Sequence, residues 1–262
     1  MKSKQLALSG RIAPQGDSFP VEWYESASED HFWMTWRLNV VLMHLRRLKI
    51  DGNADVKGFD VGCGRGVFQR QMHSATPWTI DGCDLNENAI SLNRGHDGNS
   101  FVYDIFLRRQ DLKGRYDVVF LLDVIEHIAE PIEFISAAKF YMNQNGHMII
   151  TVPAAPSFYS EYDVAVGHIR RYTRDSLRAE IVAAGLVTEE ITYWGFSLIP
   201  LLFLRKAVSF FTKPEAMIKR GMVPPGRLID KLLRLVMSAE LAISDEVPYG
   251  ASLLAIAREA AQ

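Results

Sequence analysis

Residues 58–66 read Gly58-Phe59-Asp60-Val61-Gly62-Cys63-Gly64-Arg65-Gly66, and this stretch decides the fold. An apolar run, Val56 to Val61, ends in glycines at alternate positions, and helix-like sequence begins at about Val67. That pattern is a strand turning into a helix. Glycines at the turn let the chain bend tightly and let a ligand lie directly on backbone. The helix start beyond them offers unpaired N–H groups to a negative ligand group. A second apolar run, Thr79 to Asp84, ends in a carboxylate 22 residues after Gly62, placed to accept both hydroxyl hydrogens of a ribose. Glycine spacing discriminates among nucleotide cofactors. A dinucleotide fingerprint puts its third glycine at position 67, where this chain has Val67, with the glycine one place earlier. An NAD-dependent oxidoreductase is therefore the disfavoured alternative.

Outward from this unit, short apolar runs alternate with helical ones. A helix is expected over HFWMTWRLNVVLMHLRRL, capped by Asp30 and stopped by Asp51-Gly52-Asn53, with Trp33, Trp36, Val40, Met43, His44 and Leu48 at helical spacing. After the second strand come a helix over ENAISLNR, strand-like Phe101 to Tyr103 and Tyr116 to Leu122, and a helix opened by Pro131. Asn145-Gly146 reads as a turn into a strand, His147 to Val152. Thr173 caps a helix closed by Gly185, and Val187 to Tyr193 and Ser252 to Ala257 are strand-like. Such alternation demands an α/β, Rossmann-like, doubly wound and mostly parallel sheet, seven-stranded by this count, with room for an antiparallel edge pair. The domains expected are a flexible lead-in (1–28), a core made of 29–194 plus 250–262, and a helical insertion or cap (195–249) before the last strand.

The chain of 262 residues, with 48% hydrophobic and 23% charged, has enough apolar surface to fold. With 29 Lys plus Arg against 31 Asp plus Glu, its surface as a whole is not built to grip nucleic acid. Cys63 and Cys83 are too few for a disulfide framework and read as small packing residues beside the ligand. The longest apolar run, Phe196 to Leu204, is interrupted by Ser197 and Pro200 and falls short of the roughly 20 residues that span a bilayer. The expectation is a cytoplasmic protein.

GFDVGCGRG, Asp84, YDVVFLLDVIEH and NQNGHMIITVP together resemble the class I S-adenosylmethionine-dependent methyltransferases. More narrowly, DHFWMTWR, DVIEHI, TVPAAPSFYSEYDVAVGHIRRYT and PYGASLLAIAR resemble a bacterial subgroup associated with glycan or lipid-linked assembly. The resemblance implies S-adenosylmethionine as cofactor and S-adenosylhomocysteine as product. It implies that Asp60, Gly62, Gly64 and Gly66 cradle the methionine part, with Cys63 inside the same turn. Asp84 would hold the ribose, Leu85 would lie against the adenine, and Asp104 would bond the adenine amino group. Leu122 and Asp123 would line the methionine portion, and the helix of Trp33 and Arg37 would close over it, Arg37 as a carboxylate fork. For Trp33 the competing reading is core packing, and for Arg37 a plain surface position.

Methyl transfer is an in-line displacement at carbon, and a hydroxyl acceptor must also lose its proton. The base belongs at the C-terminal edge of the sheet, where His127 and Glu126 stand just past the fourth strand. His127 is the first candidate and His168 the second, with Tyr159 expected at the same crevice. The alternative is that His127 and Glu126 merely bond backbone and cap a turn. Asp123, Glu126 and His127, with His168, are similar to a divalent-cation arrangement of ubiquinone-pathway O-methyltransferases and small-RNA 2′-O-methyltransferases. Asp123 stands where those families have Glu, which shortens the reach, and the reading settles on no metal.

Arg170-Arg171-Tyr172-Thr173-Arg174 suits either an anionic substrate or a solvated helix start. From Phe196 to Glu240 eight basic residues face three acidic ones, a net +5 amid many leucines and phenylalanines. This fits a lid, a homodimer surface, or peripheral contact with an anionic membrane. The function expected is O-methylation of a small-molecule, glycan or lipid-linked acceptor. N- or C-methylation, RNA methylation and a non-catalytic cofactor-binding protein are the alternatives.

Overall fold

The computed structural model describes residues 29–49, 55–209, 226–243 and 247–260. The expected lead-in, the Asp51-Gly52-Asn53 stop and the middle of the insertion, with Lys213, Lys219 and Arg220, lie outside the described residues. In chain order the elements are α1 (Phe32–Arg47), β1 (Lys57–Val61), α2 (Val67–Ala75), β2 (Thr79–Asp84), α3 (Glu87–Leu92), β3 (Ser100–Val102) and β4 (Tyr116–Leu122). They continue as α4 (Pro131–Lys139), β5 (Met142–Pro153), α5 (Glu161–Ala165), α6 (Arg174–Ala183), β6 (Val187–Trp194), α7 (Ile199–Ser209), α8 (Arg227–Ile243) and β7 (Ser252–Arg258).

The strands form one seven-stranded sheet in the order β3-β2-β1-β4-β5-β7-β6. β1 to β5 run parallel, and β7 slots antiparallel between β5 and β6. The chain order reverses between β1 and β4, and an open α/β sheet has its ligand crevice beyond the carboxyl ends at that point. β4 and β7 are buried along almost their whole length because helices cover both faces of the sheet, which is why they read as continuous apolar runs. Pro131 starts α4, and Thr173 closes a capping box with Ser176 at the start of α6.

Three local expectations are corrected. His31, not Asp30, caps α1: its Nδ1 accepts from the Trp33 amide at 3.2 Å. The buried face of α1 is Met34, Trp36, Arg37, Val40, Val41, His44 and Leu45, so Met43 and Leu48 fall off it. Asn145-Gly146 lies inside β5: Tyr116 pairs with Met142 and Val118 with His147, so the surplus residues bulge out of the strand instead of turning it.

Candidate active site

At the crevice, β1 hands the chain to α2 through Gly62, Gly64 and Gly66, all at positive φ. At Gly62 (φ +79°) a Cβ would also fall 2.8 Å from the Val124 side chain, so the turn admits no other residue unstrained. The Gly64 amide donates to Asp84 Oδ2 at 2.9 Å and the Asn86 amide to Oδ1 at 2.9 Å. The carboxylate at the end of β2 is thus locked to the glycine turn, with each oxygen keeping a further lone pair for a ligand. Burial raises the pKa of Asp84 against the pull of the Asn86, Gly64 and Leu85 amides. Asp60 is buried at the end of β1, and burial pushes its pKa up to about 7, with Arg37 opposing. Asp104 caps the turn after β3 by accepting from the Phe106 amide at 2.9 Å. Cys63 and Cys83 are free and buried, and burial drives both thiols well above their ordinary range, so they pack and do not react.

One cavity of about 450 Å³ is lined by Asp60, Gly62, Cys63, Gly64, Asp84 and Asp104. Trp33, Arg37, Leu85, Leu122, Asp123, Glu126, His127 and His168 complete its wall. Of the site residues expected from the sequence, Gly66 and Tyr159 are not in the lining; Gly66 stands behind it as the N-cap of α2. Their contacts differ from expectation in detail. Arg37 is committed to the end of β4, with Nη1 2.9 Å from Asp123 Oδ2 and 3.4 Å from the Leu122 carbonyl. Trp33 does both jobs considered for it: it lines the cavity and stacks on Trp194 at 4.6 Å. Tyr159 does not line the cavity; its hydroxyl donates to the His168 carbonyl at 2.8 Å and braces that loop.

Asp123 has φ +58°, uncommon for a residue with a side chain, and is held there by Arg37 and by Thr151 Oγ1 at 3.0 Å. That twist ends β4 and sends the next turn, Ile125–His127, across the crevice. Glu126 is fully buried, and neither carboxylate oxygen has a hydrogen-bond partner. Burial first, then the nearby Asp123, raises its pKa well above the usual range, so the lone side chain is held neutral. His127 Nδ1 lies 2.9 Å from the Gly167 carbonyl, which can only accept. The tautomer that fits carries its proton on Nδ1 and the lone pair on Nε2. Burial, reinforced by His168, lowers the His127 pKa to about 4. The two imidazoles meet edge to face with centres 4.8 Å apart.

His168 has a partner that the sequence reading missed. Its Nδ1 is 3.0 Å from Asp163 Oδ1, and its Nε2 points toward Glu126 Oε1 at 3.8 Å. Asp163 is fully buried, but the His168 hydrogen bond and Arg171 outweigh burial and keep its pKa below the ordinary value. The available signal was Ser160-x-x-Asp163, a capping box that fixes the carboxylate in the first turn of α5. Arg171 also reaches Asp163 at 2.7 Å. Arg170 bonds the Ala129 carbonyl at 3.0 Å, and Arg174 lies 4.7 Å from the Tyr193 ring centre. Arg170 and Arg171 of the basic run 170–174 are thus bonded to protein partners.

Glu126, His127 and His168 each offer an atom within 4.8 Å of the others, a carboxylate and two imidazoles that fit a divalent cation. Asp123, which the sequence reading grouped with them, is outside this set because Arg37 and Thr151 hold it.

The comparisons bear on the fold and the family. A ubiquinone biosynthesis O-methyltransferase of Acinetobacter baumannii is 24% identical over 208 residues, covering 72% of this chain and 86% of its own. One from Neisseria meningitidis serogroup C is 28% identical over 139 residues, covering 49% of this chain and 58% of its own. Among solved structures, an S-adenosylmethionine-dependent methyltransferase from Archaeoglobus fulgidus superposes with a TM-score of 0.52 at 18% identity, covering 85% of this chain and 94% of that one. Another, from Mesorhizobium loti, gives 0.52 at 13% identity, with 81% and 95% covered. At such identities the likeness to solved structures is one of fold. The family described as "Methyltransferase domain" matches residues 35–191, and this chain belongs to it as a class I S-adenosylmethionine-dependent methyltransferase.

Proposed function

We propose that the enzyme methylates a hydroxyl oxygen of a small or lipid-linked amphiphilic acceptor, with His168 as the base. The observation that carries this is the His168–Asp163 pair at 3.0 Å, on the cavity that also holds the cofactor residues. An ionised carboxylate behind Nδ1 fixes the ring and stabilises the imidazolium formed when Nε2 takes a proton, the logic of a catalytic triad. This reverses the order drawn from the sequence, because burial drains basicity from His127. His127 instead stays neutral at working pH and offers the Nε2 lone pair to orient the hydroxyl. The relatives' printed activity, O-methylation in ubiquinone biosynthesis, supports oxygen as the target.

The test uses deuteromethyl-labelled S-adenosylmethionine with a lipid and metabolite extract, and mass spectrometry to find products that gain one labelled methyl. An ether product is expected. His168→Asn should lower its formation at least about 100-fold with cofactor affinity unchanged. A product labelled on nitrogen or carbon, or full activity in His168→Asn, overturns this reading.

The unpartnered Glu126 favours a second one, in which Glu126, His127 and His168 hold a divalent cation. Such an ion would lower the pKa of the acceptor hydroxyl. Calorimetric titration with manganese and magnesium checks it, since Glu126→Gln should abolish a tight isotherm; no isotherm in the parent protein rejects it.

The lipid-linked part rests on α8. Its inner face carries Asp230, Leu233, Arg234, Met237, Glu240 and Leu241, and Arg234 bonds the Asp30 carbonyl and, at 3.3 Å, Thr35 Oγ1. Glu240 accepts the Gly195, Phe196 and Ser197 amides at 2.8, 3.0 and 2.8 Å. The outer face presents Leu228, Ile229, Leu232, Leu235, Val236 and Ile243, with Leu228 86% and Ile243 84% exposed, flanked by exposed Arg227 and Lys231. An apolar stripe with a cationic flank is the composition that lies on an anionic lipid surface, and we assign α8 to that contact. Among the described residues no helix is long and apolar enough to cross a membrane.

A further inference from the structure

The cavity wall contains a cation that no carboxylate among the described residues pairs directly, Asp163 acting on it only from a distance. Arg205, on α7, sits with its guanidinium carbon 4.0 Å from the centre of the Tyr162 ring. Both residues line the cavity, as do His168, Arg171 and the Leu198, Leu201 and Leu202 side chains. Arg171, its neighbour, is already engaged through two of its nitrogens: Nε to Asp163 at 2.7 Å and Nη1 to the Ala154 carbonyl at 3.0 Å. Asp163 in turn is shared between Arg171 and His168. Among the described residues no carboxylate or carbonyl takes a hydrogen bond from Arg205. Burial lowers the pKa of Arg205, Tyr162 opposes, and Arg171 adds to the lowering.

An arginine in such a place stays charged, and its partly desolvated charge is costly until an oxyanion joins it. The aromatic ring beneath compensates only in part. The guanidinium fork is shaped for two oxygens of one group, and the leucines around it exclude water that would weaken the contact. The cofactor half of the cavity has its own polar partners in Asp60, Asp84 and Asp104, all acidic, and these would repel an anion. Arg205 lies instead with His168 and α7, on the side that the reading above gives to the acceptor.

We propose that Arg205, seated over Tyr162, binds a carboxylate or phosphate group of the methyl acceptor. This rests on reading the His168 side as the acceptor site. The acceptor class that follows is an anionic amphiphile: oxyanion at Arg205, apolar part along Leu198, Leu201 and Leu202, hydroxyl at His168. Arg205 is a specificity residue and takes no part in proton transfer.

The experiment is a calorimetric titration of the full chain, saturated with S-adenosylhomocysteine, with hexyl phosphate, hexanoate and hexylammonium. One or both anions should bind and hexylammonium should not; the stronger anion identifies the group. Arg205→Met and Arg205→Gln should each weaken the anion by about 10- to 100-fold, the scale of charge-assisted hydrogen bonds, and Arg205→Lys should weaken it less. S-adenosylhomocysteine affinity and the far-UV circular dichroism spectrum should be those of the parent protein. Equal anion binding by the neutral variants overturns the assignment. So does no anion binding by the parent, or a loss of S-adenosylhomocysteine affinity in a folded variant, which would give Arg205 to the cofactor carboxylate. His168→Asn separates the two proposals. Arg205-dependent anion binding with methyl transfer intact in His168→Asn sinks the base and leaves the oxyanion seat standing; the opposite pair of results does the reverse.

Discussion

β4 and α8 are both rich in leucine and valine, and the fold treats them in opposite ways. In β4, Val118, Val119, Phe120 and Leu121 are fully buried because parallel neighbours flank the strand and helices cover both faces. In α8 the large apolar side chains mostly point away from the protein, and charged Arg234 and Glu240 tie the helix down. Burial in β4 follows from topology and needs no partner. The exposed face of α8 is a stripe of a kind that monomeric soluble surfaces rarely carry, which supports the lipid contact proposed for it. The molecule thus has a crevice end built from self-sufficient strands and, outside the cavity lining, a helix with unmet apolar surface.

The largest expected effect lies at the self-sufficient end. Asp84 is held by two amides and faces the cavity, so Asp84→Ala removes the carboxylate that we propose holds the ribose and also releases the Gly64 turn. Two lost hydrogen bonds to a charged group are worth about 3–6 kcal/mol, and S-adenosylmethionine affinity should fall more than about 100-fold by calorimetry. Binding within threefold of the parent would take Asp84 out of the ribose site.

Next in size is a pH effect on the same half. The Asp60 pKa is raised to about 7, so much of the free protein carries Asp60 protonated at neutral pH and below. A ligand bearing an ammonium or sulfonium group favours the carboxylate, so its binding must expel that proton. Affinity for S-adenosylmethionine should therefore fall as pH drops below about 7, by about tenfold per unit. Asp60→Asn should flatten the slope, and adenosine, which lacks both cations, should show none. An unchanged slope in Asp60→Asn would move the proton elsewhere.

The contrast between the two ends also explains what the sequence disclosed. The glycine turn, Asp84 and the order of strands are written in neighbouring residues, so spacing alone revealed them. Asp163, Thr151 and Arg205 meet partners that only the folded backbone brings into contact, Asp163 with His168 and Arg171 within one loop, Thr151 with Asp123 from an adjacent strand, Arg205 with the Tyr162 ring. No local period carries that information. The sequence of α8 has a helical period, but a period has no sign: it shows that one face is apolar and not whether that face turns inward. Two charged residues on the other face, Arg234 and Glu240, decided it through the bonds they make to the body of the protein.

A third effect reports on that sign. Leu232→Glu with Leu235→Glu places two carboxylates within the outer stripe. Sedimentation with vesicles of phosphatidylglycerol and phosphatidylcholine should fall about tenfold, through lost apolar insertion and added repulsion. Binding to purely zwitterionic vesicles should be weak for both proteins. Equal sedimentation of variant and parent would break the comparison between the two ends, because α8 would then be exposed without a lipid partner.

The smallest effect is the most discriminating about the helix itself. If the outer leucines contributed to the core, that same double variant would lose several kcal/mol, as buried leucine truncations do. Their exposure says otherwise: surface changes away from a cap or a buried pair stay within about 0.5 kcal/mol each, so urea midpoints of variant and parent should nearly coincide in the absence of lipid. Glu240→Ala is the inward counterpart. It leaves three amides at the start of the 196–198 turn without their carboxylate, a loss of about 1–3 kcal/mol. A charged face that stabilises the helix and a leucine face that does not would support the lipid contact proposed for α8. Reversed midpoints, with the leucine variant the weaker, would return α8 to the ordinary role of a lid.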